Sequence, residues 1–424
     1  MDIPMEGTPP AELPRRRSSV RTNDEPRGER PLPRGIERFP LMFDGLPGTY
    51  FRVWLVNLLL TMVTFGLYVP FARRRTAQFF YGHTLLADSP LEFTAKSRRM
   101  FVGYVLMGLL LIAYQVAAET GQGFMVAFFI IGAAMLAPWF WGSAMRFRLA
   151  STRWRGIRLQ FSASWGEIYQ ASWPVFLVAA TWLGVAAAAW SQLRHWEFRP
   201  GGAAPDVPAW IWLLALFALM VTVLCVIRLE FNYKRLLFTR GLVGDQPGHW
   251  KPVYGDFLGV WVRTAGVFLA CLVPSVALAV LVWFHVFPMV FGGLGVLAIV
   301  VGPLLAIATL ALIWMVALLP ARAFREARVF RLVWNNVGVS DVARFHCSLS
   351  TGGYVLLRLY NMLLTFLTLG FYRPFAMLSE YRMKAESVDV LVKGGLERLA
   401  GRMAAQQGAL GDALADAAGL DLIG

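Results

Sequence analysis

Residues 50–72 read YFRVWLVNLLLTMVTFGLYVPFA, and residues 354–376 read YVLLRLYNMLLTFLTLGFYRPFA. The two stretches align without a gap. Tyr50, Asn57, Thr61, Thr64, Gly66, Tyr68, Pro70, Phe71 and Ala72 recur as Tyr354, Asn361, Thr365, Thr368, Gly370, Tyr372, Pro374, Phe375 and Ala376. Apolar composition alone does not hold an Asn, two Thr, a Gly and a Pro in register, so the hydrophobic part of the chain begins and ends on one repeated element. Its leading stretch, residues 50–64, makes ~22 Å of helix, short of a ~30 Å hydrocarbon core. Gly66 then allows a sharp turn, and Pro70 suits the first turn of a second helix. Gly370 and Pro374 repeat both features. Each copy therefore reads as a short or re-entrant helix–turn–helix. The rival is one straight span over residues 51–71.

Working outward, the 424 residues are 57% hydrophobic and only 16% charged, well below the ~25% charge of a soluble domain. Between the two copies lie six long apolar segments, near residues 100–118, 123–144, 173–191, 209–227, 260–286 and 290–319. Each is long enough to cross a bilayer. The expected fold class is an all-α polytopic membrane protein: six clear transmembrane helices in three hairpins, plus the two repeat-related elements, eight apolar segments in all. The net charge of +14 sits mainly in alternate loops, beginning with Arg73, Arg74 and Arg75. That asymmetry predicts cytoplasmic basic loops that meet anionic headgroups. Both copies of the repeated element are flanked by basic residues on either side, which favours re-entry over a single crossing.

The basic loops resemble one another. HTLLADSPLEF (83–93), STRWRGIRLQF (151–161), NNVGVSDVARF (335–345) and, more loosely, TRGLVGDQPGHWKPVY (239–254) share a polar turn followed by an alternating stretch that ends near an aromatic. The alternation predicts short strands that pair as a small collar below the helices. Residues 1–38 are rich in Pro, Arg and Glu and read as a disordered basic tail, leaving 39–393 as the membrane domain. Residues 394–424 form an Ala/Gly-rich tail in which 396–420 carry apolar residues at helical spacing.

The run from Asn57 to Ala72 is preceded by Phe43-Asp44-Gly45 and followed by Arg73–Arg75 and by Phe80-Tyr81-Gly82-His83-Thr84. Together these resemble the YjgN family of bacterial inner-membrane proteins, a domain of unknown function. The resemblance covers most of residues 39–385. Phe71 and Phe375 stand where that family usually has Trp. It implies a bacterial cytoplasmic membrane and supplies no reaction, ligand or catalytic residue.

No HExxH, GxSxG or phosphate-binding glycine loop occurs, and the five histidines are scattered without metal-ligand spacing. Three isolated cysteines form no redox pair. The sequence therefore predicts no enzyme, no cofactor and no metal, and nothing in it matches a nucleic-acid-binding module. The partners implied are the bilayer and its anionic lipids; a homo-oligomer is compatible, and any protein partner is open. Asn57, Thr61 and Thr64 share one helix face, as do Asn361, Thr365 and Thr368. A polar group in lipid needs a partner, so these stripes either hold helices together or line a polar path between two broken helices. Arg263, near the start of its apolar segment, is expected to snorkel to the interface. Transport of a small solute is the leading functional expectation, with a lipid- or partner-binding scaffold as the alternative.

Overall fold

The computed structural model describes residues 35–120, 123–193, 207–244, 246–286, 288, 289, 293, 296–340 and 343–394. The ten short strands among them close into one barrel. They are β1 (Ile36–Phe43), β2 (Thr84–Leu86), β3 (Ser89–Phe93), β4 (Thr152–Trp154), β5 (Ile157–Phe161), β6 (Gly241–Val243), β7 (Gln246–Trp250), β8 (Val337–Val339), β9 (Ala343–Cys347) and β10 (Val388–Lys393). Every neighbouring pair is antiparallel. β1 closes the ring against β10, with Ile36 opposite Lys393. Closure leaves no exposed sheet edge, which strands of three to eight residues could not protect otherwise.

The two rims differ. On one, adjacent strands join by tight turns. Ala87 and Asp88, and likewise Arg155 and Gly156, take positive φ as two-residue antiparallel hairpins require. On the other rim every pair of facing strand ends opens into a helical excursion. Phe43 faces Thr84, Phe93 faces Thr152, Phe161 faces Gly241, Trp250 faces Val337, and Cys347 faces Val388. The chain thus repeats a strand–helices–strand unit five times around the ring.

The first excursion holds α1 (Pro47–Val63) and α2 (Val69–Gly82). The second holds α3 (Ser97–Glu119) and α4 (Gly123–Ala150); the third holds α5 (Trp165–Ala171), α6 (Trp173–Leu193) and α7 (Ala209–Thr239). The fourth holds α8 (Tyr254–Leu281), a π-helical turn at Val282–Val286, and α9 (Val296–Trp334). The fifth holds α10 (Thr351–Leu367) and α11 (Arg373–Ala385). Among the described residues six helices are long and apolar enough to cross a membrane: α3, α4, α6, α7, α8 and α9. Within their excursions α3 packs on α4, α6 on α7, and α8 on α9.

The helical, polytopic architecture stands, and the strands of its loops prove to be one closed ring. Neither repeat copy is a straight helix. One expectation needs correction. The tail expected over 1–38 stops sooner, because Ile36, Glu37 and Arg38 pair with β10; residues 1–34 lie outside the described residues. The strand Val388–Lys393 was not foreseen either. Of the expected C-terminal tail only Gly394 is described.

Apolar side chains fill the barrel towards the tight-turn rim. Trp154, Ile157, Val339, Ala343, Val390 and Val392 form a buried cluster, with Phe39, Leu86, Leu91 and Phe345 packed against it. A second cluster seats the helices on the ring: Ile227 and Phe231 of α7, Phe257 and Val260 of α8, and Val329 and Val333 of α9 meet at Val337.

Candidate functional site

The repeated elements occupy the first and fifth excursions, so ring closure sets them side by side. Each is an antiparallel helix pair whose backbone turn is the same. Phe65 and Gly66 have φ of 48° and 91°, and Leu369 and Gly370 have 51° and 96°. The Gly66 N–H closes on Thr61 O at 2.8 Å, and Gly370 N–H on Thr365 O at 2.7 Å, each a left-handed helix end. Pro70 and Pro374 sit in the first turn of the second helix and are buried. Residues 44 and 83 then meet, Asp44 N donating to His83 O at 3.1 Å, so the first element returns to the rim it left.

The polar stripes act within each copy. Asn57 Nδ2 donates to Ala72 O at 3.4 Å, and Asn361 Nδ2 to the equivalent Ala376 O at 3.3 Å. Thr61 and Thr365 each donate to the Asn carbonyl one turn back, at 2.6 Å. Thr64 and Thr368 accept from the backbone N–H of Tyr68 and Tyr372, both at 3.0 Å. The two stripes do not meet. Contact between the copies includes aromatic pairs and one hydroxyl: Phe51 stacks on Phe375 at 5.6 Å, Trp54 meets Phe371 edge-on at 6.4 Å, and Tyr50 Oη donates to Met377 Sδ at 3.8 Å. Deeper down, the hydroxyls of Thr84 and Tyr381 lie 2.7 Å apart.

What the two copies enclose is a cleft of about 900 Å³. Asn57 and Thr61 line it, while Asn361 and Thr365 do not. Tyr50, Trp54, Leu58 and Val69 give it an apolar wall, and five cations with two carboxylates complete it: Arg73, Arg148, Arg358, Arg373, Lys384, Glu326 and Glu380. Part of this charge is internally balanced. Arg358 Nη1 lies 2.7 Å from Glu380 and 3.2 Å from Glu326, and it donates to Tyr354 Oη at 3.1 Å. Lys384 pairs with the other oxygen of Glu326. Burial works against the Lys384 ammonium, but the bonds to Glu326 and Tyr354 outweigh it and hold its pKa above the ordinary lysine value. Arg73, Arg148 and Arg373 have no carboxylate partner among the described residues and are exposed to the cleft. Of the remaining basic triplet, Arg74 donates to Ser97 Oγ at 2.5 Å and Arg75 to Tyr68 Oη at 3.2 Å.

Tyr81 and Arg148 also line a second cavity of about 400 Å³ in the barrel mouth, bounded by Leu159, Val243, Gly248 and Phe345. The two spaces are therefore neighbours that share Tyr81 and Arg148 as a wall. Among the described residues no three His, Cys, Asp or Glu side chains group as a metal site would require.

Residues 38–417 match the family model described as bacterial protein of unknown function (DUF898). The chain belongs to this family, the YjgN family. A relative, the inner membrane protein YjgN of Salmonella typhimurium, is 26% identical over 148 residues, 34% of this chain and 37% of the relative. No solved structure matches. With its six apolar helices the chain is a multi-pass protein of the bacterial inner membrane.

The YjgN-family motifs did not point to the cleft's charges. Glu326 comes from α9, Arg358 from α10, and Glu380 and Lys384 from α11, so only folding assembles them. One signal was available. Arg358 interrupts an apolar stretch at the position where the first copy has Trp54.

Proposed function

We propose that the protein binds a small amphiphilic anion in the cleft and passes it across the membrane. The observation that carries this reading is the pairing of three arginines free of carboxylates, Arg73, Arg148 and Arg373, with an apolar wall between two broken helices. Interrupted helices that face a shared site are how many transporters build their substrate position. In this reading the protein is not an enzyme. The basic loops and the barrel lie in the cytoplasm with both tails, the long helices cross as three hairpins, and the two repeated elements dip into the bilayer and return. The bilayer is the constant partner, and a homo-oligomer is compatible with the ring.

Proteoliposomes loaded with labelled octanoate test the flux. Protein-dependent efflux is expected, with Arg148→Gln lowering it about tenfold, roughly the worth of one charge-assisted hydrogen bond. Absence of efflux from the folded wild type sinks transport. Sidedness is tested separately. Single cysteines at Ser19 and Ser97, in a chain without native cysteines, should label only from the cytoplasmic face.

The buried core of the barrel favours a second reading, a scaffold that holds lipid or a partner protein through its basic face. Under that reading Arg148→Gln changes no flux, and neutralising Arg73, Arg74 and Arg75 together releases the bound partner.

A further inference from the structure

The fivefold repeat allows one position to be compared around the ring. Six residues before the strand that closes each unit stand Gln78, Arg146, Arg235, Arg331 and Arg382. Two of these arginines do the same thing. Arg146 Nη2 donates to Ala163 O at 2.6 Å, and Arg382 Nη2 donates to Gly45 O at 2.8 Å. Ala163 and Gly45 each stand two residues past the strand that opens the next unit. Gln78 makes a weaker version, Nε2 to Phe93 O at 3.5 Å. This contact belts three of the five units to their neighbours.

Arg235 and Arg331 are not part of the belt. Among the described residues neither side chain has a hydrogen bond, ion pair or ring contact, and both are exposed. Each lies in an open groove at the foot of a membrane-length helix. The first groove, about 600 Å³, is walled by Arg235, Leu236 and Thr239 of α7 across from α5. The second, about 370 Å³, is walled by Arg331, Leu332 and Asn335 beside the start of α8. Measured from the strands, these are the same three positions in successive units.

Each groove also holds a second arginine, at a different distance from its strand: Arg228 stands thirteen residues before β6 and Arg328 nine residues before β8. Arg228 and Arg328 each have a buried Nε without a partner among the described residues, while their guanidinium planes lie over Tyr254 at 4.9 Å and Phe324 at 5.4 Å. The groove carboxylates are already engaged. Glu167 pairs with Arg240 and accepts from Ser164 N at 2.9 Å, and Asp256 accepts from Val253 N at 2.9 Å. Among the described residues neither forms an ion pair with Arg235 or Arg331. Trp173, 46% exposed on the wall of the first groove, is a residue type that gathers at the headgroup level.

Two guanidinium forks beside a hydroxyl or amide donor and a leucine suit one chemistry, a phosphodiester attached to an apolar body. We propose that both grooves are anionic-lipid sites, each seating a lipid phosphodiester on the arginine pair Arg235 with Arg228 or Arg331 with Arg328. The inference does not depend on transport through the cleft.

Native mass spectrometry of the full chain tests it, released from micelles holding equal amounts of phosphatidylglycerol and phosphatidylcholine. Phosphatidylglycerol is expected to be retained in preference, one molecule for each groove. Arg235→Gln and Arg331→Gln should each remove one, and the double variant both. Arg146→Gln, which removes a belt contact, should remove none. Arg235→Lys and Arg331→Lys preserve the charge without the fork, guard against a folding failure, and should lower retention about tenfold. A double Gln variant that keeps its phosphatidylglycerol, or equal retention of phosphatidylcholine, overturns the proposal. Displacement of the lipid by about 10 mM inorganic phosphate reassigns the grooves to a soluble phosphate and overturns the lipid assignment.

Discussion

The first and fifth excursions share a backbone and differ in chemistry. Both turn on a left-handed pair of residues, both clasp their helices with an Asn, and both cap the turn with a Thr. Yet where the fifth carries Arg358, Glu380 and Lys384, the first carries Trp54, Thr76 and Phe80. Conversely, Arg73, Arg74 and Arg75 stand where the fifth has Met377, Leu378 and Ser379. The shared residues are those that form the turn and the clasp. The residues that differ include those that reach the neighbouring helices, so one copy is pinned by ion pairs to α9 and the other to α3, through Arg74 on Ser97, with the shared Phe71 against Phe101. The two copies share a fold and differ in the side chains it carries.

Exchanging residues between the copies breaks this comparison most strongly. Arg358→Trp gives the fifth excursion the residue of the first and takes one donor from Tyr354, from Glu326, which keeps Lys384, and from Glu380, which keeps Asn361. A loss of about 3 kcal/mol is expected, reduced from the cost of a fully buried pair because these groups are half-exposed. Thermal unfolding in detergent reads it, and a loss under about 1 kcal/mol would show the ion pairs to be incidental.

Next come the clasps. Asn361 Nδ2 also reaches Ser379 Oγ at 3.0 Å and Glu380 Oε1 at 3.2 Å, whereas Asn57 makes the single long bond to Ala72. Asn361→Leu is therefore expected to cost about 2 kcal/mol and Asn57→Leu about 1 kcal/mol. Equal losses would mean that the charge cluster adds nothing to the clasp.

The turns should not distinguish the copies. Gly66→Ala and Gly370→Ala each place a side chain at positive φ, for about 1 kcal/mol apiece, since an added Cβ meets nothing closer than the Tyr104 hydroxyl at 3.6 Å in one and nothing within 4 Å in the other. A difference beyond about half of that would reveal a tertiary contact at one turn.

The smallest effect is at the helix starts. Ser350 caps α10 through Gly353 N, while its counterpart Leu46 offers α1 no side-chain cap. Ser350→Leu should lose, and Leu46→Ser gain, somewhat under about 1 kcal/mol. Amide exchange at the first turn of each helix gives a local readout.

The repeat was legible in the sequence because its Asn, Thr, Gly and Pro positions are set by backbone geometry, which leaves few substitutes. The apolar segments were legible because the bilayer demands length. The hairpins of the ring were visible as alternation around turns such as Arg155–Gly156. Its first strand was not, because Glu37, Arg38 and Pro40 give it the composition of a tail, and Pro40 stands opposite Asp389 in a pairing only the far end of the chain supplies. The charges of the cleft were hidden for the same reason: Glu326 and Lys384 lie 58 residues apart and meet only where the fourth and fifth excursions pack together. The two basic grooves were present in the sequence merely as arginines of two basic segments, until the ring gave each unit a common origin from which to count.

The closure of β1 on β10 has a consequence in time. β1 is among the first described segments to leave the ribosome and β10 the last. At ~5–20 residues per second, tens of seconds separate them. Throughout that interval six membrane-length helices emerge while the outer edge of β1 has no mate. The final strand is therefore the latch of the whole assembly: a chain stopped before Val388 leaves two strand edges bare at once, on β1 and on β9.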